Sequence, residues 1–338
     1  MPPTHPLKSR SGEGELKFRI PNSEFRIPNS PVCYLCADGA KRMKGIILAG
    51  GSGTRLHPVT SVVSKQLLPV YDKPMIYYPL SLLMHAGIRE VLIISTPRDL
   101  PSYRELFGNG ERLGMRFDYC EQPHPEGLAQ AFILGRDFLD GGAACLVLGD
   151  NILHGPNLSK MLTSCATLSD GARIFGYRVR DPERYGVVEF DADGTALSIE
   201  EKPDNPKSHF AVPGLYFYGP DVCDLADRLE PSLRGELEIT DLNRRYLEQG
   251  RLTVAVLERG YAWLDAGTHR SLIEASNFIQ AIEERQGLKV GCIQEIAWNQ
   301  GWITIEGFRR EVEAAGSSTY GAYLAEVLES AGDPGAAG

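Results

Sequence analysis

The segment from Gly45 to Leu56 constrains this chain more than any other part of its sequence. It reads Gly-Ile-Ile-Leu-Ala-Gly-Gly-Ser-Gly-Thr-Arg-Leu, which is a short apolar strand followed by a glycine turn that carries the cation Arg55. A second cation, Lys65, follows shortly downstream. Backbone N–H groups in such a turn, with cations beside them, can hold a polyanionic phosphate chain. The sequence therefore predicts a nucleotide-binding loop at the end of a strand.

Two common nucleotide loops can be compared with this segment. The phosphate-binding loop of many ATPases and GTPases requires Gly-Lys-Ser/Thr, which does not occur in this sequence. The dinucleotide fingerprint Gly-x-Gly-x-x-Gly is met by Gly51 and Gly53, but Leu56 occupies its third glycine position. The first class is excluded and the second is weakly supported.

Composition narrows the possibilities further. The chain has 338 residues, 43% of them hydrophobic, and a net charge of −9, so it is long enough for one large α/β domain with additions. The negative charge argues against nucleic-acid binding, which needs basic surface. No apolar run reaches about 18 residues and no secretory leader is evident, so we expect a cytoplasmic protein without membrane contact. The seven cysteines are scattered, which indicates reduced, structural thiols.

Residues 1–42 differ from the rest of the chain. The hexapeptide Phe18–Ser23 is repeated as Phe25–Ser30 in a segment without strand or helix periodicity. We expect a disordered or non-native extension, with Met43 as the natural start. Cys33 and Cys36 have the spacing of half a zinc knuckle, but no second Cys/His pair follows, so metal binding there is disfavoured.

From Met43 onward, apolar strand-like runs alternate with helix-period segments. The strand-like runs are Gly45–Ala49, Val91–Ser95, Phe117–Cys120 and Cys145–Leu148, and the helical segments are Met75–Ala86, Tyr103–Phe107 and Leu128–Leu139. This alternation predicts an α/β fold with a Rossmann-like, doubly wound, mostly parallel sheet. Ligands of such sheets lie at the carboxyl ends of the strands, so the glycine loop, Gln122 and Asp150 should converge.

The second half has a different pattern. Gly186–Phe190 and Ala196–Glu200 predict a hairpin, and the other expected elements are strands Gly214–Tyr218 and Leu252–Leu257, helices Ile239–Glu248 and His269–Gln286, and helices in the last part of the chain. We therefore expect a catalytic domain at 43–285, with a nucleotide half at about 43–160 and a β insertion at about 161–285. Residues 286–338 would form a small helical module for oligomerisation or regulation.

Two aspartates and two cations are candidates for the chemistry. Asp150 ends an apolar strand and Asp265 ends Trp263-Leu264-Asp265. Each alone would more often cap a turn, but beside a phosphate loop two carboxylates suit Mg²⁺, which prefers carboxylates together with phosphate oxygens. Arg55 could clamp a triphosphate and Lys65 a second phosphate, rather than serve as surface charges.

Several longer motifs carry a resemblance. They are Leu48–Leu56, Ser64–Leu80, Leu148–Asn151, Arg184–Phe190, Glu200–Pro203, Gly235–Asp241 and Trp263–His269. From Met43 to about Leu328 the chain resembles the sugar nucleotidyltransferases, and among them the bacterial thymidylyltransferases that act on glucose 1-phosphate. The resemblance implies that dTTP and α-D-glucose 1-phosphate give dTDP-glucose and pyrophosphate with Mg²⁺ as cofactor, for deoxysugar and dTDP-rhamnose synthesis.

The same resemblance implies roles for individual residues. Catalysis would fall to Arg55, Lys65, Asp150 and Asp265, with Asp150 and Asp265 holding Mg²⁺. Gln122 and the backbone near Gly127 would read the thymine. The implied nucleotide-binding set is Leu48, Gly50, Gly51, Ser52, Gly53, Thr54, Arg55, Gln66, Gln122, Gly127 and Asp150. The implied sugar-binding set is Asn151, Tyr185, Gly186, Glu201, Lys202, Val212 and Trp263; from spacing alone, Glu201 and Lys202 could instead be a surface ion pair.

The resemblance also implies a homotetramer with a second nucleotide-sugar site, at which dTDP-rhamnose would act as a feedback inhibitor. In that region relatives commonly carry aromatic residues and a histidine after the glycine. This chain reads Ile152-Leu153-His154-Gly155-Pro156 instead, so feedback control is not carried over. Two alternatives remain open: a transferase that uses UTP, CTP or ATP, and a non-catalytic regulator that binds nucleotide sugars.

Overall fold

The computed structural model describes residues 41–51 and 53–332. Its strands are β1 Lys44–Leu48, β2 Pro69–Val70, β3 Lys73–Pro74, β4 Glu90–Ser95, β5 Arg116–Glu121, β6 Ala144–Leu148, β7 Asn151–His154, β8 Ala172–Arg178, β9 Gly186–Phe190, β10 Ala196–Glu201, β11 Phe210–Ala211, β12 Leu215–Tyr218, β13 Leu252–Leu257 and β14 Ala262–Asp265. Its helices are α1 Tyr77–His85, α2 Leu100–Phe107, α3 Gln130–Leu134, α4 Arg136–Leu139, α5 Leu158–Cys165, α6 Val222–Ala226, α7 Ile239–Glu248, α8 His269–Gln286, α9 Ile293–Asn299, α10 Ile305–Ala315 and α11 Thr319–Gly332.

A ten-stranded mixed sheet forms the centre of the described chain, in the order β10-β9-β11-β8-β12-β6-β1-β4-β5, with β13 paired to β8. The expected α/β, Rossmann-like architecture is confirmed. The parallel arrangement, however, is continuous only over β6-β1-β4-β5. Beyond β6 the pairings are antiparallel, apart from β13 with β8. Short connections such as the β9–β10 hairpin can join only antiparallel neighbours, whereas parallel ones need a crossover.

The middle of the sheet is buried on both faces. Ile47 and Val147 point into a cluster against α1, while Ile46 and Leu146 point into a second cluster with α3 and α7, and all four side chains are fully buried. Parallel strands covered by helices on both sides show such continuous apolar runs. The run before the glycine loop is therefore a central strand, which holds the loop on a rigid base.

Most expected elements are found at or near their predicted positions. The hairpin β9–β10, helices α7 and α8 and strand β13 agree with the sequence analysis. The helix expected over Leu128–Leu139 is instead two short helices that meet at Gly135. A side chain at Gly135 would lie 2.9 Å from the Ala131 carbonyl oxygen, so this position accepts only glycine in the observed turn.

A small two-stranded sheet brings distant parts of the chain together. Strand β14 pairs antiparallel with β7, which places Asp265 opposite Asn151. Helix α8 begins immediately afterwards with a capping box, in which Thr268 Oγ1 accepts the Ser271 N–H at 3.1 Å and Ser271 Oγ accepts the Thr268 N–H at 3.0 Å. The cap satisfies the first free N–H groups of the helix and fixes the direction in which the chain leaves Asp265.

The expected helical C-terminal part is present as α9, α10 and α11. Phe308 and Leu324 are fully buried between these helices, and the Trp298 and Phe308 rings stack at 5.6 Å. Helix α9 packs against α1 through Ile293. The aromatic residues of this part are therefore core residues within one chain.

A buried group of four charges joins β3 to the end of α8. Lys73 Nζ lies 2.8 Å from Glu283 Oε1 and also contacts Asp72, and Lys289 contacts both carboxylates. The side chain of Lys73 is 1% exposed and that of Glu283 is 5% exposed. Burial would raise the pKa of Asp72, but Lys73 and Lys289 hold that pKa below its ordinary value. The charges balance, as a buried ionic cluster requires.

Some expectations fall outside the described residues. The hexapeptide repeat, Cys33 and Cys36 lie in residues 1–40, and Ser52 is likewise not described. In the part of the chain that is described, no helix combines the length and apolar character needed to cross a bilayer.

Candidate active site

The glycine loop follows β1 and is shaped by close approaches. Leu48 ends β1 between Ile94 and Leu148 of the neighbouring strands. A side chain at Gly50 would lie 2.2 Å from Gln122 Oε1, so only glycine fits there. Gly53 adopts the left-handed conformation, with φ of 58°, and begins a 3₁₀ turn over Thr54–Leu56. In that turn Leu56 is buried while Thr54 and Arg55 are exposed.

Lys65 and Gln66 lie next to the residues that follow β6. Lys65 Nζ contacts Asp150 Oδ2, and the two side chains are 9% and 22% exposed. Gln66 Oε1 accepts the Ser64 hydroxyl at 2.9 Å. The Gln66 side chain lies against Gly149, where a Cβ would be 2.8 Å from Gln66 Cγ. Gln66 is therefore held in the protein interior, and Lys65 is the cation that this segment presents to Asp150.

The two aspartates lie side by side although they come from different strands. The Ala266 N–H donates to the Asp150 carbonyl at 3.2 Å, which ties the end of β14 to the end of β6. Burial and the negative charge of Asp150 raise the pKa of Asp265, while Lys65 and Arg55 oppose this effect. The pair is thus a concentrated negative site with two cations next to it.

Arg55 lies near Asp265 and completes the group. A Cβ at Gly267 would lie 3.0 Å from Asp265 Oδ1 and 3.5 Å from Arg55 Nη1, so the guanidinium group lies close to the Asp265 carboxylate. The structure therefore brings together Arg55, Lys65, Asp150 and Asp265, the residues that the sequence analysis assigned to catalysis.

Asn151 connects the aspartates to an aromatic wall. Its Oδ1 accepts the Gly214 N–H at 2.9 Å and the Trp263 indole N–H at 2.6 Å, and its Nδ2 donates to Asp150 Oδ1 at 2.9 Å. The Trp263 ring lies between Tyr185, at 5.1 Å, and Tyr177, at 5.8 Å. Because the Asn151 amide already makes these bonds, its main observed effect is to hold Asp150 and Trp263 in place.

The remaining expected sugar-binding residues meet at one end of the β9–β10 hairpin. Gly186 lies opposite Glu201 in the ladder, and its carbonyl accepts the Val212 N–H at 2.9 Å. The Lys202 N–H donates to the Tyr185 carbonyl at 3.0 Å, while Lys202 Nζ is 3.3 Å from Glu201 Oε1. These residues form one wall of the site, with Glu201 as its carboxylate acceptor and Lys202 as its cation. We call it the Glu201 wall; its members are Tyr185, Gly186, Glu201, Lys202 and Val212.

The sequence analysis assigned no individual role to several polar residues next to the Glu201 wall. Thr240 Oγ1 donates to Glu201 Oε2 at 2.6 Å, and Arg234 lies 3.6 Å from Glu201 Oε1. Arg184 is near enough to Asp265 for its charge to oppose the rise in the pKa of that carboxyl. Thr240 lies in the Gly235–Asp241 motif, so the resemblance signalled the segment without naming the residue.

The expected base-reading residues lie on the other side of the glycine loop. The Gln122 N–H donates to the Ser95 carbonyl at 2.8 Å. Its side chain is almost fully buried, and none of the described residues donates a hydrogen bond to Oε1. Gly127 has a φ of 105°, and a Cβ there would be 2.4 Å from Leu237 N. The structure thus places Gln122 against the loop at Gly50, and Gly127 against the segment before α7.

Among the described residues, no group of three or more His, Cys, Asp and Glu side chains could hold a metal ion. The paired carboxylates of Asp150 and Asp265 are nevertheless the donor type that a hard divalent cation prefers when substrate phosphates and water supply the other ligands. Burial and the negative charge of Asp150 raise the pKa of Asp265, and a divalent cation would relieve the repulsion between the two carboxylates. The residues therefore fit Mg²⁺.

The fold and the site define a nucleotidyltransferase of the Rossmann-like α/β type. The sequence profile of the family described as Nucleotidyl transferase matches residues 44–282, and the chain belongs to that family. Similar relatives are glucose-1-phosphate thymidylyltransferases. That of Neisseria gonorrhoeae is 55% identical over 286 residues, covering 85% of this chain and 99% of the relative. That of Xanthomonas campestris pv. campestris strain B100 is 58% identical, covering 85% and 97%.

Solved structures agree with this assignment. A putative glucose-1-phosphate thymidylyltransferase from Bacillus anthracis, in complex with a sucrose, has a TM-score of 0.65 and 40% identity, covering 70% of this chain and 94% of that chain. A UDP-glucose pyrophosphorylase complexed with UDP-glucose has a TM-score of 0.63 and 26% identity, covering 73% and 100%.

Proposed function

We propose that this protein transfers a thymidylyl group from dTTP to α-D-glucose 1-phosphate and releases dTDP-glucose and pyrophosphate. The observation that carries the proposal is the contact between Lys65 and Asp150, with Asp265 and Arg55 beside it, between the glycine loop and the Glu201 wall. Relatives that are 50–58% identical carry the name of this activity.

The reaction requires alignment and charge neutralisation. A phosphate oxygen of the sugar phosphate attacks the α-phosphorus of dTTP, and the bond from that phosphorus to the oxygen bridging to the β-phosphorus breaks. The attacking oxygen is already ionised, so no general base is needed. Lys65 would hold the incoming phosphate near the α-phosphate, and Arg55 would bind the phosphates that leave. Mg²⁺ held by Asp150 and Asp265 would neutralise phosphate charge and orient the reacting oxygens.

The sugar would lie against the Glu201 wall. Glu201 can accept hydrogen bonds from sugar hydroxyls, and Thr240 fixes one of its oxygens at 2.6 Å. Tyr185 and Trp263 would give the sugar an aromatic surface, and Lys202, next to Glu201, would offer a cation to the sugar phosphate. Gln122 and the backbone at Gly127 would contact the thymine.

The setting of the enzyme is part of the same proposal. We expect a cytoplasmic homotetramer, with a catalytic domain at 43–285 and assembly through the helices of 286–338, and a product used in dTDP-rhamnose and other deoxysugar synthesis. Feedback inhibition by dTDP-rhamnose should be weak, because Ile152–Pro156 differs from the pattern that the resemblance implies for a regulatory site. Inhibition at micromolar concentrations would contradict this expectation.

Pyrophosphate release tests the proposed function. The full-length protein is incubated with Mg²⁺, glucose 1-phosphate and dTTP, UTP, CTP or ATP in parallel. Preference for dTTP supports the proposal. Preference for UTP keeps the mechanism and changes the substrate, and the similarity to the UDP-glucose pyrophosphorylase fold makes UTP the main alternative. No turnover with any triphosphate would overturn the proposal and favour a non-catalytic regulator.

A further inference from the structure

Three side chains form a hydrogen-bonded chain beside the glycine loop. Gln122 Nε2 donates to Gln130 Oε1 at 2.6 Å. The same Gln130 oxygen accepts the Glu126 backbone N–H at 3.1 Å, and Gln130 Nε2 donates to the Glu126 carboxylate at 2.9 Å. Gln122 is 2% exposed, so these contacts largely decide how its amide lies.

The orientation of each amide in this hydrogen-bonded series is set by groups that can only donate or can only accept a hydrogen bond. A backbone N–H can only donate, and an ionised carboxylate can only accept. Glu126 supplies one of each, so the Gln130 amide has one allowed orientation, with Oε1 as an acceptor toward Gln122. Gln122 must then turn its Nε2 to Gln130 and its Oε1 away from it.

The Glu126 backbone, where this hydrogen-bonded series begins, is itself held in place. The Glu126 carbonyl accepts the Leu237 N–H at 2.7 Å. At Gly127 a Cβ would lie 2.4 Å from Leu237 N, so the turn is pressed against the segment before α7. The backbone N–H that orients Gln130 therefore belongs to a rigid turn.

At the end of this hydrogen-bonded series, the Gln122 side-chain oxygen has no donor among residues 41–51 and 53–332. Gln122 Oε1 is buried and accepts no hydrogen bond from the described residues, and it lies over Gly50, where a Cβ would be 2.2 Å away. A buried carbonyl oxygen without a donor is costly to stability. Its place against the nucleotide loop indicates that the missing donor is supplied by a ligand.

We propose that Gln130 is a positioning residue that sets the base preference of the nucleotide site by fixing the orientation of the Gln122 amide. The proposal rests on the proposed function, in which the base lies against Gln122. An acceptor without a donor from the described residues favours bases with a ring N–H on their pairing edge, which thymine and uracil have at N3. Cytosine presents an unprotonated acceptor nitrogen there, and adenine does so at N1, so both would face the Gln122 oxygen without a hydrogen.

The test compares dUTP with dCTP, whose bases differ only at the C4 substituent and the N3 proton. Full-length protein is assayed with Mg²⁺ and glucose 1-phosphate, and the readout is the ratio of the two kcat/KM values. In Gln130→Lys the new ammonium can only donate, so Gln122 turns its oxygen toward it and its amide N–H toward the base. We expect the ratio of dUTP to dCTP to fall about tenfold or more.

The matched control exchanges the residues at positions 126 and 130. In Glu126→Gln/Gln130→Glu the carboxylate accepts from Gln122 and from the residue 126 N–H, and the new amide donates back to it, so every hydrogen bond is kept. We expect the wild-type ratio. A folded Gln130→Lys with an unchanged ratio would overturn the proposal, and so would an exchanged pair that loses the preference as fully as Gln130→Lys.

Two further experiments cover the cases in which Gln130→Lys does not fold or the wild-type protein shows no turnover. If Gln130→Lys does not fold, Gln130→Met removes the acceptor without adding a donor and must also lower the ratio; an unchanged ratio contradicts the proposal. If the wild-type protein releases no pyrophosphate from any triphosphate, the proposed function has failed. The orientation of Gln122 is then tested by calorimetric affinities for dUDP and dCDP in the same variants, and equal affinities in the wild type reject it.

Discussion

Replacing Lys65 with methionine should abolish most turnover while leaving the fold intact. The substitution keeps a flexible apolar stem of similar reach and removes the charge that contacts Asp150. Only 9% of the Lys65 side chain is exposed, so water cannot fully replace the lost cation. Asp150 keeps its hydrogen bond from Asn151 at 2.9 Å and is 22% exposed, so its carboxylate is not left buried without a donor.

The magnitude follows from the geometry. Two unit charges about 4 Å apart, at an effective dielectric constant of about 20, interact by about 4 kcal/mol. In other enzymes, removal of a single group that stabilises transition-state charge raises the activation free energy by about 3 to 4 kcal/mol, which lowers kcat about a hundred- to a thousandfold. We expect Lys65→Met to lie in that range, and Lys65→Arg to retain part of the activity because it keeps the charge but not its position.

The assay is steady-state pyrophosphate release at saturating dTTP and glucose 1-phosphate, with thermal unfolding followed in parallel. Lys160→Ala serves as the control, because Lys160 is an exposed cation on α5. A folded Lys65→Met protein with kcat near that of the wild type would remove Lys65 from the mechanism. A large loss of thermal stability in Lys65→Met would show that the contact with Asp150 is mainly structural.

Four other outcomes are expected. Arg55→Ala should lower kcat by about a hundredfold or more without a change in melting temperature, since Arg55 is exposed; unchanged kcat would contradict this. Thr240→Val leaves Glu201 without its 2.6 Å hydrogen bond. Because such a bond contributes about 1 kcal/mol or slightly more, KM for glucose 1-phosphate should rise by about tenfold, whereas KM for dTTP should stay unchanged. Lys73→Met leaves Glu283 buried and with one cation fewer, so denaturant unfolding should show a loss of about 3 to 5 kcal/mol; a smaller loss would mean that Lys289 compensates. Chelation by EDTA should stop turnover and added Mg²⁺ restore it, whereas persistent activity would argue against the metal pair.

The end of a parallel strand was the most informative sequence signal for the site. Because β1 and β6 are neighbours, the residues that follow them must meet, and Asp150 does lie beside the glycine loop and Lys65. The sequence also placed Asp265 at the end of a strand, but its position next to Asp150 depends on the β7–β14 pairing, which no local pattern predicts. Alternating strands and helices also predicted the fold class, and the β9–β10 hairpin was expected, but the antiparallel pairings of β12 with β6 and β8 were not.

Other features depend on contacts between distant segments. Thr240 reaches Glu201 only through the packing of α7 against β10, and the orientation of Gln122 depends on Gln130 and a backbone N–H. Lys73 is a lysine next to an aspartate in the sequence, yet it is buried because Glu283 of α8 pairs with it. Sequence patterns report which residues are apolar or polar along one element, and they do not report which charges meet across the fold.

Helix α8 connects two such distant points. Its capping box begins just after Asp265, and Glu283, near its other end, pairs with Lys73 on the strand that follows the Lys65 segment. An inserted residue would turn one end relative to the other by about 100° and lengthen the helix by about 1.5 Å, which would misplace either the carboxylate or the ion cluster. The exposed face of α8 can therefore vary in composition during evolution or engineering, whereas its length cannot.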